Sequence, residues 1–428
     1  MRRRLPGSAV LAALLVAGIG GLLGAGPAAA APARPTADPS APTPTAPWSG
    51  LPPQGSAPDG STVGGGELDD RGLVVADGAP PLPTGIAASA WLVADAGSGE
   101  VLAARDPHGR YYPASTLKAL TLLTLTPRLD PALVVPATAE DEQVEGSRVG
   151  LLVGGSYPVS LLFQALVLQS GNDAANALAR AAGGEEATVA AMNETAAGLG
   201  AYDTVAGTPS GLDVAGQSSS PYDLALMFRA LVEDASTAAI LTTPTAAMPP
   251  VAGRSPGYQI QNQNPLLSTY PGNLGGKTGF TDAARHTFVT AAERNGRRLV
   301  VSVMDTDKVP LRAADQAALL LDWGFAVPAG TGGVGRLVRP ADLARPTAGT
   351  RPLLLERQET GAASPTSSVR ASADPGASPL VPAALAGAAV LIVAATVLGR
   401  RRAVRPVRTP PGEARPPRSA EGSTSTRP

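Results

Sequence analysis

Apolar and polar residues alternate in four short runs of the chain, and this alternation predicts β-strands. Two runs precede a helical middle region and two follow it, at positions 90–95, 100–105, 287–294 and 298–305. The first pair is separated by Ala96-Gly97-Ser98-Gly99 and the second pair by Asn295-Gly296. Such connections favour tight turns, so we predict two β-hairpins far apart in the sequence.

A second pattern, with apolar residues three and four positions apart, predicts helices between and after these strands. It occurs at positions 116–125, 159–169, 173–182, 221–233 and 311–323. Strands at both ends of a helical region favour an antiparallel sheet that is covered by helices. We therefore predict an α+β fold for the folded domain, which we place at residues 86–326.

The first 30 residues have the order of a secretory signal. Arg2-Arg3-Arg4 precede an apolar run, and small residues surround Ala30, so we expect export and cleavage there, with an uncleaved anchor as the alternative. Residues 31–85 are rich in Pro, Ala, Ser and Thr and have few aliphatic clusters. This composition buries too little apolar surface to offset chain entropy. The sequence therefore predicts a disordered spacer at 31–85.

The residues after the folded domain resemble a linker and a membrane anchor. Residues 327–379 again have a low-complexity composition, and residues 380–399 are uncharged and apolar over a length that crosses a bilayer. A buried core helix is the alternative for this apolar stretch. Residues 400–428 begin with three arginines, and basic flanks stay in the cytoplasm. We expect a single-pass protein whose folded domain lies on the extracytoplasmic face of a bacterial cell membrane.

The composition excludes several kinds of chemistry. The formal net charge is -1 and the arginines are scattered, so nucleic-acid binding is not expected. The chain has no cysteine and two histidines, His108 and His286, which are far apart in the sequence. These residues offer little for a metal site or a Ser-His-Asp triad, so we expect no metal and no cofactor. The three lysines of the chain, Lys118, Lys277 and Lys308, are the more informative residues.

The first lysine lies three positions after a serine at a predicted helix start. Residues three apart share a helix face, so the Ser115 hydroxyl and the Lys118 amine can be hydrogen-bonded neighbours. A serine needs an adjacent base to become a nucleophile. The pair therefore predicts a nucleophile and its base, although a solvated helix start would give the same spacing.

Two further motifs follow in the chain. Ser170-Gly171-Asn172 is a polar break between two apolar helices, and Lys277-Thr278-Gly279-Phe280 precedes the Asn-Gly hairpin, where we predict an edge strand. Glycines beside a strand lysine allow another backbone or a ligand to approach closely. Taken alone, the first motif would be an ordinary helix connection and the second an exposed turn.

The ordered set of three motifs resembles the active-site signature of serine D-alanyl-D-alanine carboxypeptidases, the low-molecular-mass penicillin-binding proteins. The resemblance extends over residues 88–325 and includes a lesser match at Gly211-Leu212-Asp213. It implies the penicillin-binding/β-lactamase-like transpeptidase fold, an antiparallel sheet flanked by a helical subdomain. It also implies peptidoglycan stem peptides ending in D-Ala-D-Ala as substrates and β-lactam antibiotics as acylating inhibitors.

The resemblance also implies a role for each site residue. Ser115 would attack the carbonyl carbon and Lys118 would take its proton, helped by a pKa that burial and the charge of Lys277 lower. Ser170 would pass a proton to the leaving amine, and Asn172 would hold the lysine and the substrate. The remaining candidates, Thr278, Gly279, Phe280 and Arg312, would bind substrate. The N–H groups of Ser115 and Phe280 would form the oxyanion hole. Arg312 matches an arginine that in relatives faces the terminal carboxylate of the substrate.

Two departures from the family pattern concern substrate detail. This chain has Ala284-Arg285-His286 where many relatives have Ala-Gly-Tyr, and Ser210 where some have histidine. The leading hypothesis is a membrane-anchored D-Ala-D-Ala carboxypeptidase. A D,D-endopeptidase, a β-lactamase of the same fold and an inactive cell-wall-binding homologue are the alternatives.

Overall fold

The structure, a computed structural model, describes residues 54–343. Two 3-10 turns, Gly66–Asp69 and Ala114–Leu117, accompany its strands and helices. The strands are β1 Leu73–Val75, β2 Ala90–Asp95, β3 Val101–Arg105, β4 Val134–Pro136, β5 Ser156–Pro158, β6 Thr245–Met248, β7 Tyr258–Gln261, β8 Asn273–Thr281, β9 Arg285–Arg294 and β10 Arg297–Thr306. The helices are α1 Lys118–Leu125, α2 Ala139–Gln143, α3 Val159–Leu168, α4 Asn172–Ala181, α5 Glu185–Leu199, α6 Pro221–Glu233, α7 Ala235–Leu241, α8 Leu266–Thr269, α9 Ala313–Ala326 and α10 Pro340–Leu343.

Six strands form one antiparallel sheet in the order β1-β3-β2-β10-β9-β8. Both predicted hairpins are confirmed, since β2 pairs with β3 and β9 pairs with β10. The second hairpin turns at Asn295 and Gly296, whose φ angles of 52° and 77° are the positive values that the tight turn requires. The predicted edge strand is β8, which has a strand neighbour on one side only within this sheet.

Helices cover both faces of the sheet because side chains alternate along each strand. On β2, Leu92 packs in the cluster that contains α1, α3, α4 and α6, whereas Trp91 and Val93 pack in a second cluster with α9. The first cluster fills the helical subdomain and the second closes the opposite face. This arrangement confirms the predicted α+β class, and it leaves β8 beside the helical subdomain.

The folded region is larger than the predicted domain at both ends, so the predicted boundaries at 86 and 326 are wrong. Residues 54–85 were expected to be spacer, but β1 pairs with β3 and Leu68 is fully buried. Residues 327–343 were expected to be linker, but the Val334 N–H donates to the Val101 carbonyl and Leu337 is buried. Both segments use hydrogen-bonding groups and apolar surface that the sheet already presents, so a few apolar residues suffice and average composition does not reveal them.

Several predicted segments lie outside the described residues: the signal at 1–30, the first part of the spacer, most of the linker, the apolar stretch at 380–399 and the basic tail at 400–428. Between residues 54 and 343, none of the helices has the length and apolar character needed to cross a bilayer.

Candidate active site

The 3-10 turn that carries Ser115 is held against the sheet. Ala114 has a φ of 48°, which is unusual for a residue with a side chain. The Pro113 carbonyl accepts hydrogen bonds from the hydroxyls of Thr116 at 2.5 Å and of Thr287 on β9 at 2.9 Å. These bonds fix the turn before α1 begins, so Ser115, which is partly exposed, is presented at the junction of the sheet and the helical subdomain.

The amine of Lys118 is fully buried and lies beside the predicted nucleophile. Its Nζ is 2.9 Å from Ser115 Oγ, 2.7 Å from Asn172 Oδ1 and 2.5 Å from the Ser210 carbonyl. Burial, and secondarily the charge of Lys277, lower the pKa of Lys118 well below its ordinary value. A neutral amine has two N–H donors and one lone pair. It can therefore donate to the two carbonyl oxygens and accept the Ser115 proton.

The amine of Lys277, the lysine of the third motif, lies beside the hydroxyl of Ser170 in the second motif. Lys277 Nζ lies 2.9 Å from Ser170 Oγ and 2.8 Å from the Thr278 carbonyl. Burial lowers the pKa of Lys277 to about 7. Ser170, in the connection between α3 and α4, has a φ of 59°, a left-handed conformation that is unusual for serine. The side chains of the three motifs therefore meet in one buried cluster.

The loop at 145–151 positions Asn172. The Asn172 side-chain N–H donates to the Glu145 carbonyl at 2.7 Å, and its backbone N–H donates to the Ser147 carbonyl at 2.8 Å. The Asp173 carboxylate accepts the N–H groups of three consecutive loop residues at distances of 2.7 to 3.0 Å, those of Val149, Gly150 and Leu151. Asp173 thus fixes the loop from which Asn172 is held.

Strand β8 forms the wall opposite the Ser170-Gly171-Asn172 connection. Gly279 packs so closely against the nucleophile turn that an added Cβ would lie 3.0 Å from the Ser115 nitrogen and 2.3 Å from Thr287 Oγ1. Phe280 follows Gly279 in the chain, so this close approach also brings the Phe280 segment of β8 beside the nucleophile turn. The family resemblance implies that the N–H groups of Ser115 and Phe280 form the oxyanion hole, and the close packing of β8 against the turn is compatible with that role.

Gly279→Val is expected to widen this approach and to lower kcat/KM about 100-fold, the usual cost of losing one oxyanion-hole donor. The rate of acyl transfer from the substrate that the family resemblance implies, a peptide ending in D-Ala-D-Ala, measures the effect. Gly332→Val is the matched control, because a Cβ at Gly332 meets nothing within 4 Å. Equal rates for the two variants would contradict the close-approach argument.

Arg312 is exposed and immediately precedes α9. Gln316 of the same helix donates to Thr306 Oγ1 on β10, and Thr306 is the register partner of His286, which pairs with Phe280. This helix start therefore lies at the end of the sheet that carries Phe280. Within residues 54–343, no hydrogen bond or ion pair of the Arg312 side chain with the buried motif cluster is present, so its role stays a prediction.

Sequence reasoning missed three contributions to the site. The Ser210 carbonyl is a direct partner of Lys118, and Asp173 and the Glu145 carbonyl hold the loop around Asn172. The available signal was Gly211 in the weaker family match. Gly211 has a φ of 80°, and an added Cβ would lie 2.1 Å from the Ala114 carbonyl, so it keeps the Ser210 segment against the nucleophile turn.

A second buried cluster, His108, Asp203 and Asp223, offers ligand atoms within 4.8 Å of one another. Asp203 also accepts the Gly55 N–H and the Arg110 side-chain N–H, and His108 Nε2 is 3.1 Å from the Val63 carbonyl. An adjacent guanidinium disfavours a cation. These contacts instead fasten the segment that begins at residue 54 onto the helical subdomain.

The geometry is that expected of a serine acyltransferase: a serine hydroxyl lies 2.9 Å from a buried lysine amine that can accept its proton. A family model for D-alanyl-D-alanine carboxypeptidases, peptidase family S11, matches residues 76–308. The D-alanyl-D-alanine carboxypeptidase DacB2 of Mycobacterium tuberculosis is 47% identical over 254 residues, which are 58% of this chain and 86% of the relative. DacD of Escherichia coli is 33% identical and is covered over 64% of its length, a little under two thirds.

Solved structures agree with this similarity. The D-alanyl-D-alanine carboxypeptidase of M. tuberculosis H37Rv has a TM-score of 0.58 at 45% identity, covering 61% of this chain and 99% of that one. The Streptomyces K15 DD-transpeptidase has a TM-score of 0.54 at 26% identity, covering 58% of this chain and 100% of that one. The chain belongs to the D-alanyl-D-alanine carboxypeptidase family of serine peptidases. The predicted family, enzyme class and penicillin-binding-type fold are confirmed.

Proposed function

We propose that this chain is an exported, membrane-anchored carboxypeptidase that removes the terminal D-alanine from peptidoglycan stem peptides through an acyl-enzyme on Ser115. The observation that carries the proposal is the 2.9 Å contact between Ser115 Oγ and the buried amine of Lys118. A hydroxyl beside a neutral amine can lose its proton as it attacks a carbonyl. β-Lactams carry an amide carbonyl that the same hydroxyl can attack, so acylation by penicillin is part of the proposal.

In the first half-reaction, Ser115 Oγ bonds to the carbonyl carbon between the two D-alanines while its proton moves to Lys118 Nζ. The N–H groups of Ser115 and Phe280 hold the oxyanion that forms. The C–N bond then breaks, and the proton held by Lys118 passes through the Ser170 hydroxyl, which Lys277 orients at 2.9 Å, to the leaving amine, so the Lys118 amine is neutral again. The products are free D-alanine and an ester on Ser115.

In the second half-reaction, a water molecule attacks the ester and gives its proton to Lys118. The C–O bond to Ser115 breaks, and the Ser115 oxygen takes that proton back, so the amine is neutral again. Besides the substrate and this water molecule, the proposed steps use only the side chains and backbone donors already described. The trimmed stem peptide leaves with a new terminal carboxylate.

Recognition of a free C-terminus requires a cation beside the leaving residue. Lys277 and Arg312 are the candidate cations. The Thr278 hydroxyl on the exposed edge of β8 can donate a hydrogen bond to the same carboxylate. Lys277 is part of the buried cluster, whereas Arg312 is exposed at the start of α9. We propose that Arg312 contacts the terminal carboxylate once substrate lies along β8.

Export and anchoring rest on the order of a basic start, an apolar run and small residues at 1–30, and on the apolar stretch at 380–399 followed by arginines. Truncation before residue 380 is expected to release the enzyme from the membrane fraction into the medium. Retention of the truncated protein in the cell would contradict the proposed orientation or the proposed anchor.

The test of the activity is the intact mass of the full chain after brief exposure to penicillin, followed over time, with Ser115→Ala alongside. A long-lived adduct on the parent protein, absent from the variant, together with D-alanine release from a stem pentapeptide, is the expected result. An adduct that disappears while penicillin is consumed would indicate a β-lactamase. Absence of an adduct and of D-alanine release would indicate an inactive cell-wall-binding homologue.

A further inference from the structure

Two aromatic rings, those of Phe280 and His286, lie beside the third motif. The Phe280 side chain is 56% exposed although it follows Gly279 of the third motif, and its ring lies 4.6 Å from that of His286. The two residues are directly opposite each other on β8 and β9, so their side chains share one face of the sheet. A large exposed aromatic group beside a catalytic serine calls for an explanation other than core packing.

The strand register places this ring pair on the same face of β8 as Thr278. Lys277 and Gly279 face the helical subdomain and the nucleophile turn. Because side chains alternate, Thr278 and Phe280 face the other side of β8, toward α9. In the proposed function the terminal D-alanine and its carboxylate lie beside Thr278 and Arg312. The rings therefore flank the position of the leaving residue.

Hydrogen bonds and ion pairs fix the turn of the β8–β9 hairpin, which carries the two rings. Arg285 has a φ of 56°, and its guanidinium is paired with Asp305 at 3.2 Å and with Asp307 at 3.0 Å. The turn is closed by a 2.9 Å hydrogen bond from the Ala284 N–H to Thr281 Oγ1. The carboxylates therefore neutralise the charge of Arg285. What this end of the hairpin presents beside the third motif is the aromatic surface of Phe280 and His286.

The surroundings of His286 disfavour its charged form. Burial, followed by the charges of Lys308 and Arg285, lowers the pKa of His286, and this outweighs the opposing influence of Asp307. The imidazole is therefore neutral near neutral pH. It contributes bulk and an aromatic face next to Phe280 instead of a positive charge.

We propose that the Phe280–His286 ring pair is a steric wall that admits a single D-alanine as the leaving group and hinders a larger one. This inference rests on the proposed function. Cleavage of a terminal D-alanine and cleavage of a cross-link both break an amide on the carboxyl side of D-alanine. They differ in the leaving amine, which is one amino acid in the first reaction and a second stem peptide in the other. The wall thus favours carboxypeptidase over endopeptidase activity.

The test compares two initial rates for the full-length protein: D-alanine release from a monomeric stem pentapeptide and cleavage of a purified cross-linked dimer. The double variant Phe280→Ala/His286→Ala is expected to raise the ratio of dimer cleavage to D-alanine release about tenfold, which is within the range for removing one apolar contact from a specificity pocket. Phe325→Ala is the matched control, because Phe325 contacts Arg294 at the opposite end of β9. An unchanged ratio in the double variant would overturn the proposal.

His286→Phe separates bulk from imidazole chemistry. It keeps a ring opposite Phe280, so the ratio should stay near that of the parent protein, whereas His286→Ala should raise it. A rise of equal size in both variants would contradict a steric wall. Penicillin adducts on each variant report whether the nucleophile is intact. If the parent releases D-alanine and the ratios do not change, only the wall fails. If the parent neither releases D-alanine nor forms an adduct, the proposed function fails and the wall with it.

Discussion

Replacing Lys118 by methionine is expected to lower kcat/KM for D-alanine release by about 10⁴-fold, the upper end of what a positioned general base contributes. Methionine has a similar length and fills the buried site, but it has no lone pair to accept the Ser115 proton at the 2.9 Å separation. The rate of penicillin acylation should fall in parallel, because both reactions begin with the same proton transfer. Steady-state release of D-alanine and the time course of the penicillin adduct measure the two effects.

The control for Lys118→Met is Lys308→Met, which removes an exposed lysine. A thermal unfolding curve of each variant shows whether the fold is retained. Loss of the Lys118 amine leaves the Ser210 carbonyl and Asn172 Oδ1 without a donor, and each orphaned acceptor costs about 1–3 kcal/mol. A folded Lys118→Met protein that keeps more than a tenth of the parental rate would contradict the role of Lys118 as base.

The side chains that meet at the candidate site could be predicted because the motifs that carry them are residue types at short spacing. Ser115 and Lys118 lie within one turn of chain, and the third motif lies beside the Asn-Gly hairpin, which itself is a strong local signal. The structure brings the side chains of these motifs within hydrogen-bonding distance. Short-range patterns therefore predicted which groups meet, although the distances came from tertiary packing.

Contacts made by backbone atoms could not be predicted in the same way. The Ser210 carbonyl binds the Lys118 amine, and the residue type at position 210 gives no indication of where its carbonyl points. In the sequence, Ser210 is notable only because some relatives have histidine there. Its contribution depends on the left-handed Gly211 and on the contact of this segment with the nucleophile turn, which link positions about 95 residues apart.

The domain boundaries were missed for a different physical reason. Composition averages over a window, whereas the packing of residues 54–85 depends on a few residues, such as Leu68, which is fully buried, and Pro80, whose carbonyl accepts the Trp323 side-chain N–H at 2.9 Å. A Pro- and Gly-rich segment can therefore be ordered where an existing sheet supplies partners. The same argument applies to residues 327–343.

Lys277→Met is expected to reduce kcat/KM about 10³-fold near pH 7, within the range for a group that assists proton transfer, and to change the pH–rate profile. Lys277 orients Ser170 at 2.9 Å, and its charge is the second cause, after burial, of the lowered pKa of Lys118. Without that charge, the pKa of Lys118 rises toward its ordinary value. The amine then stays protonated to a higher pH, so the acid limb of the profile should move to higher pH.

The basic side of the profile provides an independent check. Lys277 has a pKa of about 7 in the free enzyme, so its charge is present below that pH and is lost as the pH rises through it. Because kcat/KM reports the free enzyme, the parent profile should decline on the alkaline side, with apparent pKa values that belong to the coupled lysine pair. The Lys277→Met profile should lack this decline, whereas Lys308→Met should reproduce the parent profile. An alkaline decline that persists in Lys277→Met would show that a group other than Lys277 titrates there, and an unmoved acid limb would show that the charge of Lys277 does not govern Lys118.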